Sequence, residues 1–332
     1  MKNRLMRFVL FELRGCSLYY KYKAYLIRKK KCDKNRISVP RPGIIYMADG
    51  MCNPGGICDR LLGILSLYKI SKEKNIPFFI NFTEPFNLSD YLLPGTVDWI
   101  IQKEEIASSR SQAQVLYVFC ASAKYGYDLY KESEIQKKYI YDNIPNRNRQ
   151  YQVYTNAHIV DKPLELSELF NELFIPSKKL AEAINNNKTK IEDKYISIVL
   201  RFQNLLGDFN EGNILPLEEQ EQKKLIDKLH KKIIEIHQEY CNYKILITSD
   251  SRKFLDSLNS FDFVYTIPGK VVHMSFSEDK SFETHLKSFV DLYMVSQSEK
   301  IFLLSSGNMY NKSGFAKFAS KIHNKPYCEF VL

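Results

Sequence analysis

The second half of the sequence alternates short apolar runs with helix-like stripes, and this alternation limits the fold more than any other feature. Each strand-like run is followed by a helical segment, with a compact loop between them. The predicted strands are Tyr195–Arg201, Lys244–Thr248, Phe261–Thr266 and Lys300–Leu304, and the predicted helices are Glu218–Tyr240, a short one after Asp250, Ser281–Gln297 and Gly314–His323. Strands that alternate with helices in this way are typical of a parallel α/β sheet.

The first half of the sequence begins with a unit of the same kind. A short strand at Ile44–Met47 leads into a loop with two adjacent glycines, then a helix, then a strand within residues 77–82. The pattern is poor between residues 121 and 160, where Tyr141–Gln150 has the composition of an exposed loop. The polar run Asn185–Lys190 has no periodicity and predicts a linker between domains.

A chain of 332 residues is long enough for two domains of ordinary size. We therefore predict an α/β protein with two Rossmann-like, doubly wound domains that face a cleft. The predicted boundaries are a basic amphipathic N-terminal arm at residues 1–38, an N-terminal domain at 39–188, and a C-terminal domain at 189–332.

The net charge of +10 is concentrated in the N-terminal arm. Residues 1–32 hold ten Lys or Arg residues and one acidic residue, Glu12, which leaves 38 basic and 37 acidic groups in the remainder of the chain. A nucleic-acid-binding domain needs a basic face on its folded body, so this distribution argues against a nucleic-acid partner. The seven cysteines form no CxxC pair, which favours reduced thiols in the cytoplasm.

The apolar run of the arm, Phe8–Leu13, is interrupted by Glu12 and is far shorter than the ~20 residues that span a bilayer. A basic, aromatic-rich helix of this kind is typical of a segment that lies on an anionic membrane surface. We therefore expect a cytoplasmic protein that binds the inner face of the cytoplasmic membrane through residues 1–32. The alternative is a solvated helix whose apolar side packs on its own domain.

Three loops of the C-terminal domain follow predicted parallel strands and should open on the same edge of the sheet. The first begins at Arg201, whose guanidinium can grip a phosphate or carboxylate. The others carry backbone N–H groups and short polar side chains that can bind an anion; they contain Asp250 in one case and Ser305, Ser306, Gly307 and Asn308 in the other. Arg201 could instead be an ordinary surface arginine, and Asp250 and the two serines could be helix caps.

A glycine loop before the first helix of the N-terminal domain is a second candidate anion site. Its candidate anion-binding residues are Gly55, Gly56 and Arg60, because glycine permits close backbone approach and a helix start favours negative charge. The loop is neither GxGxxG nor GxxxxGK[ST], so it gives no support to a nicotinamide or ATP site. The chain also has no Asp-x-Asp pair, so a bound diphosphate would be neutralised by arginine and backbone donors.

Three segments resemble the GT-B fucosyltransferase-like superfamily, which includes the α-1,6-, α-1,2- and protein O-fucosyltransferases and the bacterial nodulation fucosyltransferase. They are GGICDRLLGILS, ISIVLRF and the C-terminal stretch that begins FVDLYMVSQ. The resemblance implies a GT-B-like fold with the acceptor on the side of the N-terminal domain and the donor on the side of the C-terminal domain. Arg201 would bind the donor pyrophosphate, Asp291 would contact the guanine, and Ser305 and Ser306 would contact the phosphates. The remaining expected donor-binding residues are Gly55, Gly56, Arg60, Asp250, Gly307 and Asn308. The family's histidine two residues before the arginine is Val199 here, and its aromatic or threonine after the double serine is Gly307.

The resemblance also implies inverting transfer without a metal or other cofactor. A carboxylate would deprotonate the acceptor; the candidates are Asp208, which is favoured, Glu211 and Asp59. The expected function is transfer of fucose from GDP-fucose to a cell-surface glycan, lipid-linked or polysaccharide, in bacterial polysaccharide biosynthesis. The alternatives are another nucleotide-sugar donor on the same fold, or a non-catalytic carbohydrate-binding or scaffold protein.

Overall fold

Two units, each with its own parallel sheet, make up the chain in the computed structural model. The structure describes residues 13, 15–31, 38–109, 111–119, 128–160, 162–191, 194–209, 214–272, 274 and 279–332. Unit 1 comprises the described residues within Met1–Leu88 and Pro94–Ile175, and unit 2 comprises those within Ser89–Leu93 and Pro176–Leu332. The observed boundary at 175/176 therefore lies before the expected one at 188/189.

Unit 1 is built on a four-stranded parallel sheet with the strand order β2-β1-β5-β4. The strands are β1 at Gly43–Ala48, β2 at Phe78–Phe82, β4 at Ala113–Val118 and β5 at Gln150–Thr155. The helices are α1 at Ser17–Lys31, α2 at Ile57–Lys74, α3 at Leu129–Asn143 and α4 at Pro163–Leu173. Two short strands, β3 at Leu92–Pro94 and β6 at Phe174–Pro176, pair with each other in a separate two-stranded sheet.

Helices cover both faces of the unit 1 sheet. On one face, Ala24 and Ile27 of α1 belong to a buried cluster with strand residues such as Ile45. On the other, a Cβ on Gly63 of α2 would lie 2.6 Å from the Thr155 carbonyl oxygen, so glycine allows a close approach. The N-terminal helix therefore packs the side that carries Ala24 and Ile27 on its own unit, as the alternative interpretation expected, and its binding to a membrane surface stays a prediction. No helix in the described ranges is long and apolar enough to cross a bilayer.

Unit 2 is built on a five-stranded parallel sheet with the strand order β11-β10-β7-β8-β9. The strands are β7 at Tyr195–Leu200, β8 at Lys244–Ser249, β9 at Val264–Tyr265, β10 at Ile301–Ser305 and β11 at Tyr327–Val331. The helices are α5 at Lys178–Ile191, α6 at Glu219–Glu239, α7 at Arg252–Asp256, α8 at Phe282–Gln297 and α9 at Gly314–Ile322.

The central strand β7 is buried at every position and contacts helices on both faces. Ile196 and Ile198 share a buried cluster with Ile233 of α6 on one face. On the other face, the Tyr195 hydroxyl donates to the Met294 carbonyl of α8 at 2.7 Å. Helices on both faces of a parallel sheet make the unit doubly wound, as predicted.

Four local predictions differ from the structure. The predicted linker Asn185–Lys190 is wrong, because it lies inside α5, where Asn187 is buried and its amide donates to the Ala183 carbonyl at 2.8 Å. The poorly patterned region between residues 121 and 160 contains α3 and the central strand β5. The strand predicted at Phe261–Thr266 is reduced to the two residues of β9, and β11 was not predicted.

Candidate functional site

The three polar loops predicted to share one edge of the unit 2 sheet do so. Strands β10, β7 and β8 are neighbours and parallel, with Leu303 opposite Val199 and Leu200 opposite Ser249. Arg201 therefore begins its loop between the loop that follows β8 and the loop that follows β10. The carboxyl edge of a parallel sheet is where ligands bind in open α/β folds.

Arg201 is positioned by a buried carboxylate. Its Nε lies 3.3 Å from an Oδ of Asp250, whose side chain is 3% exposed, whereas the Arg201 side chain is 24% exposed. Asp250 also accepts hydrogen bonds from the backbone N–H groups of Phe202 at 2.8 Å and Gln203 at 2.7 Å. Burial raises the pKa of Asp250, and Arg201 and the two N–H groups oppose that rise. Asp250 is thus an anchor for Arg201 and its loop rather than a helix cap.

Asp208 ties the first part of the loop that follows β7 to the start of α7. One carboxylate oxygen of Asp208 accepts hydrogen bonds from the Ser251 hydroxyl at 3.0 Å and the Lys253 N–H at 2.7 Å. Ser251 caps α7 by accepting from the Phe254 N–H at 3.1 Å. Asp208 is exposed, and its role as the general base stays a prediction, as does that of Glu211, which lies outside the described residues.

The serine loop after β10 is tied to Arg201 through the backbone, because the Tyr310 N–H donates to the Arg201 carbonyl at 3.1 Å. Ser305 and Ser306 are each 3% exposed, so both side chains are buried at the carboxyl edge of the sheet. They do not cap the next helix, which begins at Gly314. Their long contacts, of 3.5 and 3.4 Å, are to the carbonyl oxygens of Phe330 and Leu332.

The turn that follows the serines is exposed to solvent. Gly307 has φ of +55°, a left-handed conformation that favours glycine, and a Cβ there would meet no heavy atom within 4 Å. Asn308 is exposed beside it. The turn is closed by a hydrogen bond from the Met309 N–H to the Ser306 carbonyl at 3.1 Å. Unlike Ser305 and Ser306, Gly307 and Asn308 thus belong to a part of the loop that solvent reaches.

Asp291 lies in α8 as half of a buried ion pair that the sequence interpretation missed. The Lys287 ammonium lies 2.8 Å from both carboxylate oxygens of Asp291, and the two side chains are 4% and 12% exposed. Burial raises the pKa of Asp291, while Lys287 opposes the rise. The i, i+4 spacing of Lys287 and Asp291 on a helix was the signal that could have revealed the pair.

The glycine loop of unit 1 has a different construction. Gly55 has φ of +96°, and a Cβ there would clash with the Asp59 side chain, which accepts from the Gly56 N–H at 3.2 Å. Arg60 is 4% exposed and donates to the carbonyls of Gly55 and Glu84, both at 3.0 Å. The observed contacts of Arg60 hold the loop, and its role in donor binding stays a prediction.

His158 is the second polar residue that the sequence interpretation missed. Its Nε2 lies 3.6 Å from an Oδ of Asp59, and both side chains are partly exposed. His158 follows β5, the strand that was not predicted, so no local signal indicated that it would lie near the glycine loop. The pair places a second titratable group beside a candidate base.

Two parallel α/β units in one chain are the arrangement of the GT-B class of folds. No protein-family model matches the sequence, and no curated protein is similar to it in sequence. The chain is similar in structure to NodZ alpha-1,6-fucosyltransferase soaked with GDP-fucose, with a TM-score of 0.54, 12% identity, and coverage of 87% of this chain and 95% of NodZ.

The chain is also similar to an arginine-to-lysine mutant of Arabidopsis thaliana FUT1 in complex with GDP. The TM-score is 0.53 and the identity 11%, with 93% of this chain and 73% of that chain covered. Similarity at these identities establishes the fold. The predicted fold class, an α/β fold of GT-B-like type with doubly wound units, is therefore confirmed.

Proposed function

We propose that the chain is a glycosyltransferase that transfers fucose from GDP-fucose to a cell-surface glycan, either lipid-linked or polysaccharide. The fold supports the proposal, because the similar NodZ and FUT1 structures were solved with GDP-fucose and GDP. The observation that carries it is the placement of Arg201 at the carboxyl edge of the unit 2 sheet, beside the serine loop and held by Asp250.

The proposed chemistry assigns the donor to unit 2. A partly exposed guanidinium beside a loop of backbone N–H groups suits a diphosphate, and Arg201 would stabilise the charge that develops on the departing GDP. The buried carboxylate of Asp291 would accept hydrogen bonds from the N–H groups of guanine. A carboxylate that is buried with one lysine is costly to maintain, which supports a ligand-binding role for the pair.

In the proposed reaction, the acceptor oxygen attacks the anomeric carbon of fucose from the face opposite to the diphosphate. The bond from that carbon to the diphosphate oxygen breaks, GDP leaves with the electron pair, and the acceptor proton goes to a carboxylate. Asp208 and Asp59 remain the candidates among the described residues, and inversion and independence of metal are part of the proposal.

A thermal-shift panel of GDP, UDP, CMP and ADP, each with and without EDTA, tests the donor assignment. Stabilisation by GDP that survives EDTA is the expected result, and a preference for UDP would favour another nucleotide-sugar donor. A response to none of the four nucleotides would contradict the proposal and favour the non-catalytic alternative. GDP release from GDP-fucose on addition of acceptor glycans then separates an enzyme from a binding protein.

A further inference from the structure

The outer face of α1 carries apolar and basic side chains that are exposed to solvent. Leu18, Tyr22 and Tyr25 are 64%, 49% and 45% exposed. Their spacing of four and three residues places them in one stripe along the helix. The buried residues of α1, which are Tyr20, Ala24 and Ile27, lie on the opposite side. We define the exposed stripe and its flanking lysines Lys21, Lys29 and Lys30 as the outer face.

The charge of α1 is of one sign. The helix contains six basic residues and no acidic residue, and its last turn is the run Arg28–Lys31. Lys21, Lys29 and Lys30 are exposed on or beside the stripe. Exposed tyrosine and leucine between lysines match the requirements of a lipid interface, where rings and aliphatic chains enter the headgroup layer and ammonium groups bind anionic lipid.

The inner contacts of α1 hold the outer face in place. The Tyr20 hydroxyl donates to the Phe119 carbonyl at 3.3 Å, which anchors the middle of the helix. Lys31 donates to Asp49 at 2.8 Å and to the Tyr154 hydroxyl at 3.0 Å, which anchors its end. Because these contacts come from the buried side, substitutions on the outer face should leave unit 1 folded.

We propose that the outer face of α1 docks the protein on an anionic lipid surface. A membrane is favoured over nucleic acid because the exposed stripe includes an aliphatic side chain, Leu18, and because the chain outside residues 1–32 carries a balance of only +1. This inference does not rest on the donor assignment, since it uses only residues of α1 and needs no turnover to test.

Flotation with lipid vesicles tests the inference in the full-length protein. The vesicles are pure phosphatidylcholine or phosphatidylcholine with 30% phosphatidylglycerol, and two triple variants are compared with the wild type. One is Lys21→Glu/Lys29→Glu/Lys30→Glu, with Lys223→Glu/Lys224→Glu/Lys228→Glu on exposed positions of α6 as a control of equal charge. The other is Leu18→Ser/Tyr22→Ser/Tyr25→Ser, with Tyr130→Ser/Leu164→Ser/Ile234→Ser as the control of exposed apolar residues.

The wild type and both controls should float with anionic vesicles and stay unbound with neutral ones. Each α1 variant should lose at least about tenfold in partitioning while its melting temperature is unchanged. For the lysine variant the reason is that each basic residue near an anionic surface contributes about 1 kcal/mol. For the apolar variant the reason is the loss of apolar area that would enter the headgroup layer. Absence of wild-type binding, equal loss in the control variants, or displacement from vesicles by a single-stranded oligonucleotide at equimolar concentration would overturn the inference.

Discussion

Arg60 and Arg201 show how two arginines at candidate anion sites can have different tasks. Arg60 lies in the first turn of α2, after the glycine loop, whereas Arg201 begins the loop that follows β7, and the sequence indicated a donor-binding role for each. Arg60 is 4% exposed and bonded to two backbone carbonyls, with its guanidinium 5.2 Å from the centre of the Phe82 ring. Arg201 faces the carboxylate of Asp250, and 24% of its side chain is exposed.

This difference shows that the role of an arginine is indicated better by the groups that its guanidinium contacts than by the position of the arginine in the sequence. Backbone carbonyls of Gly55 and Glu84 fix Arg60 within its own loop. A buried carboxylate instead orients Arg201 while part of the guanidinium side chain remains accessible to solvent. We therefore expect Arg60 to act mainly on the stability of unit 1 and Arg201 mainly on ligand binding and turnover.

The largest expected effect is on turnover in Arg201→Ala. Loss of a group that stabilises developing charge typically lowers kcat by about 10²–10³-fold. We expect a loss of this size in GDP release from GDP-fucose, measured with an acceptor that the wild type uses. Arg201→Lys keeps the positive charge but loses the planar pair of N–H donors of the guanidinium, so it should recover only part of the lost activity. Full activity in Arg201→Ala would remove Arg201 from the site.

The next effect is on the stability of unit 1 in Arg60→Met. The substitution leaves the carbonyls of Gly55 and Glu84 without their donor, and an unsatisfied buried group costs about 1–3 kcal/mol. Urea unfolding should show a loss of about 2–3 kcal/mol. The GDP affinity of the folded protein should stay within about twofold of the wild type. A large loss of affinity with unchanged stability would reverse the contrast between the two arginines.

Asp208 can be assigned to an anchoring or a catalytic role by two substitutions. Asp208→Ala removes the acceptor for the Lys253 N–H and the Ser251 hydroxyl, so we expect a loss of about 1 kcal/mol in unfolding free energy. Asp208→Asn keeps an oxygen acceptor and should restore most of that stability. If Asp208 is also the base, the Asn variant remains inactive; if the Asn variant is fully active, Asp208 only anchors the loop.

The smallest effect is a pH dependence that arises in unit 2. Burial lowers the pKa of His323, with Lys325 and Lys188 acting in the same direction and the contact to Ser296 opposing. The unfolded state therefore takes up a proton before the folded state as pH falls below about 6.5, so stability is lost on acidification. Urea unfolding at pH 7.5 and 5.5 should show a smaller difference in His323→Gln than in the wild type. If the loss of unfolding free energy between pH 7.5 and 5.5 were the same in His323→Gln and the wild type, His323 would not contribute to the pH dependence.

The sequence predicted most strands of unit 2 because they are continuous apolar runs, but β5 of unit 1 escaped. Gln150 closed the stretch Tyr141–Gln150 that was predicted to be an exposed loop, yet Gln150 and its strand neighbour Gln152 are both buried. The Gln150 amide donates to the carbonyls of Arg41 and Glu105, and the Gln152 amide donates to that of Ala107. These partners lie more than 40 residues away, so no local pattern could show that the glutamines were satisfied in the interior.

The candidate site, like the strands, could be predicted only where local features of the sequence indicate it. The position of Arg201 and of the serine loop follows from strand ends, which are local features of the sequence. The role of Asp250 depends on the N–H groups of Phe202 and Gln203, which lie 48 and 47 positions away along the chain, and so a helix cap was an equally reasonable expectation. His158 was out of reach because the strand before it was not predicted.

The account depends most on the claim that Arg201 binds the β-phosphate of the donor nucleotide. Isothermal titration calorimetry of GDP and GMP with the wild type and Arg201→Ala tests this claim through a thermodynamic cycle. We predict that the wild type binds GDP at least tenfold more tightly than GMP and that the variant binds the two with nearly equal affinity. An undiminished preference for GDP in Arg201→Ala would contradict the account.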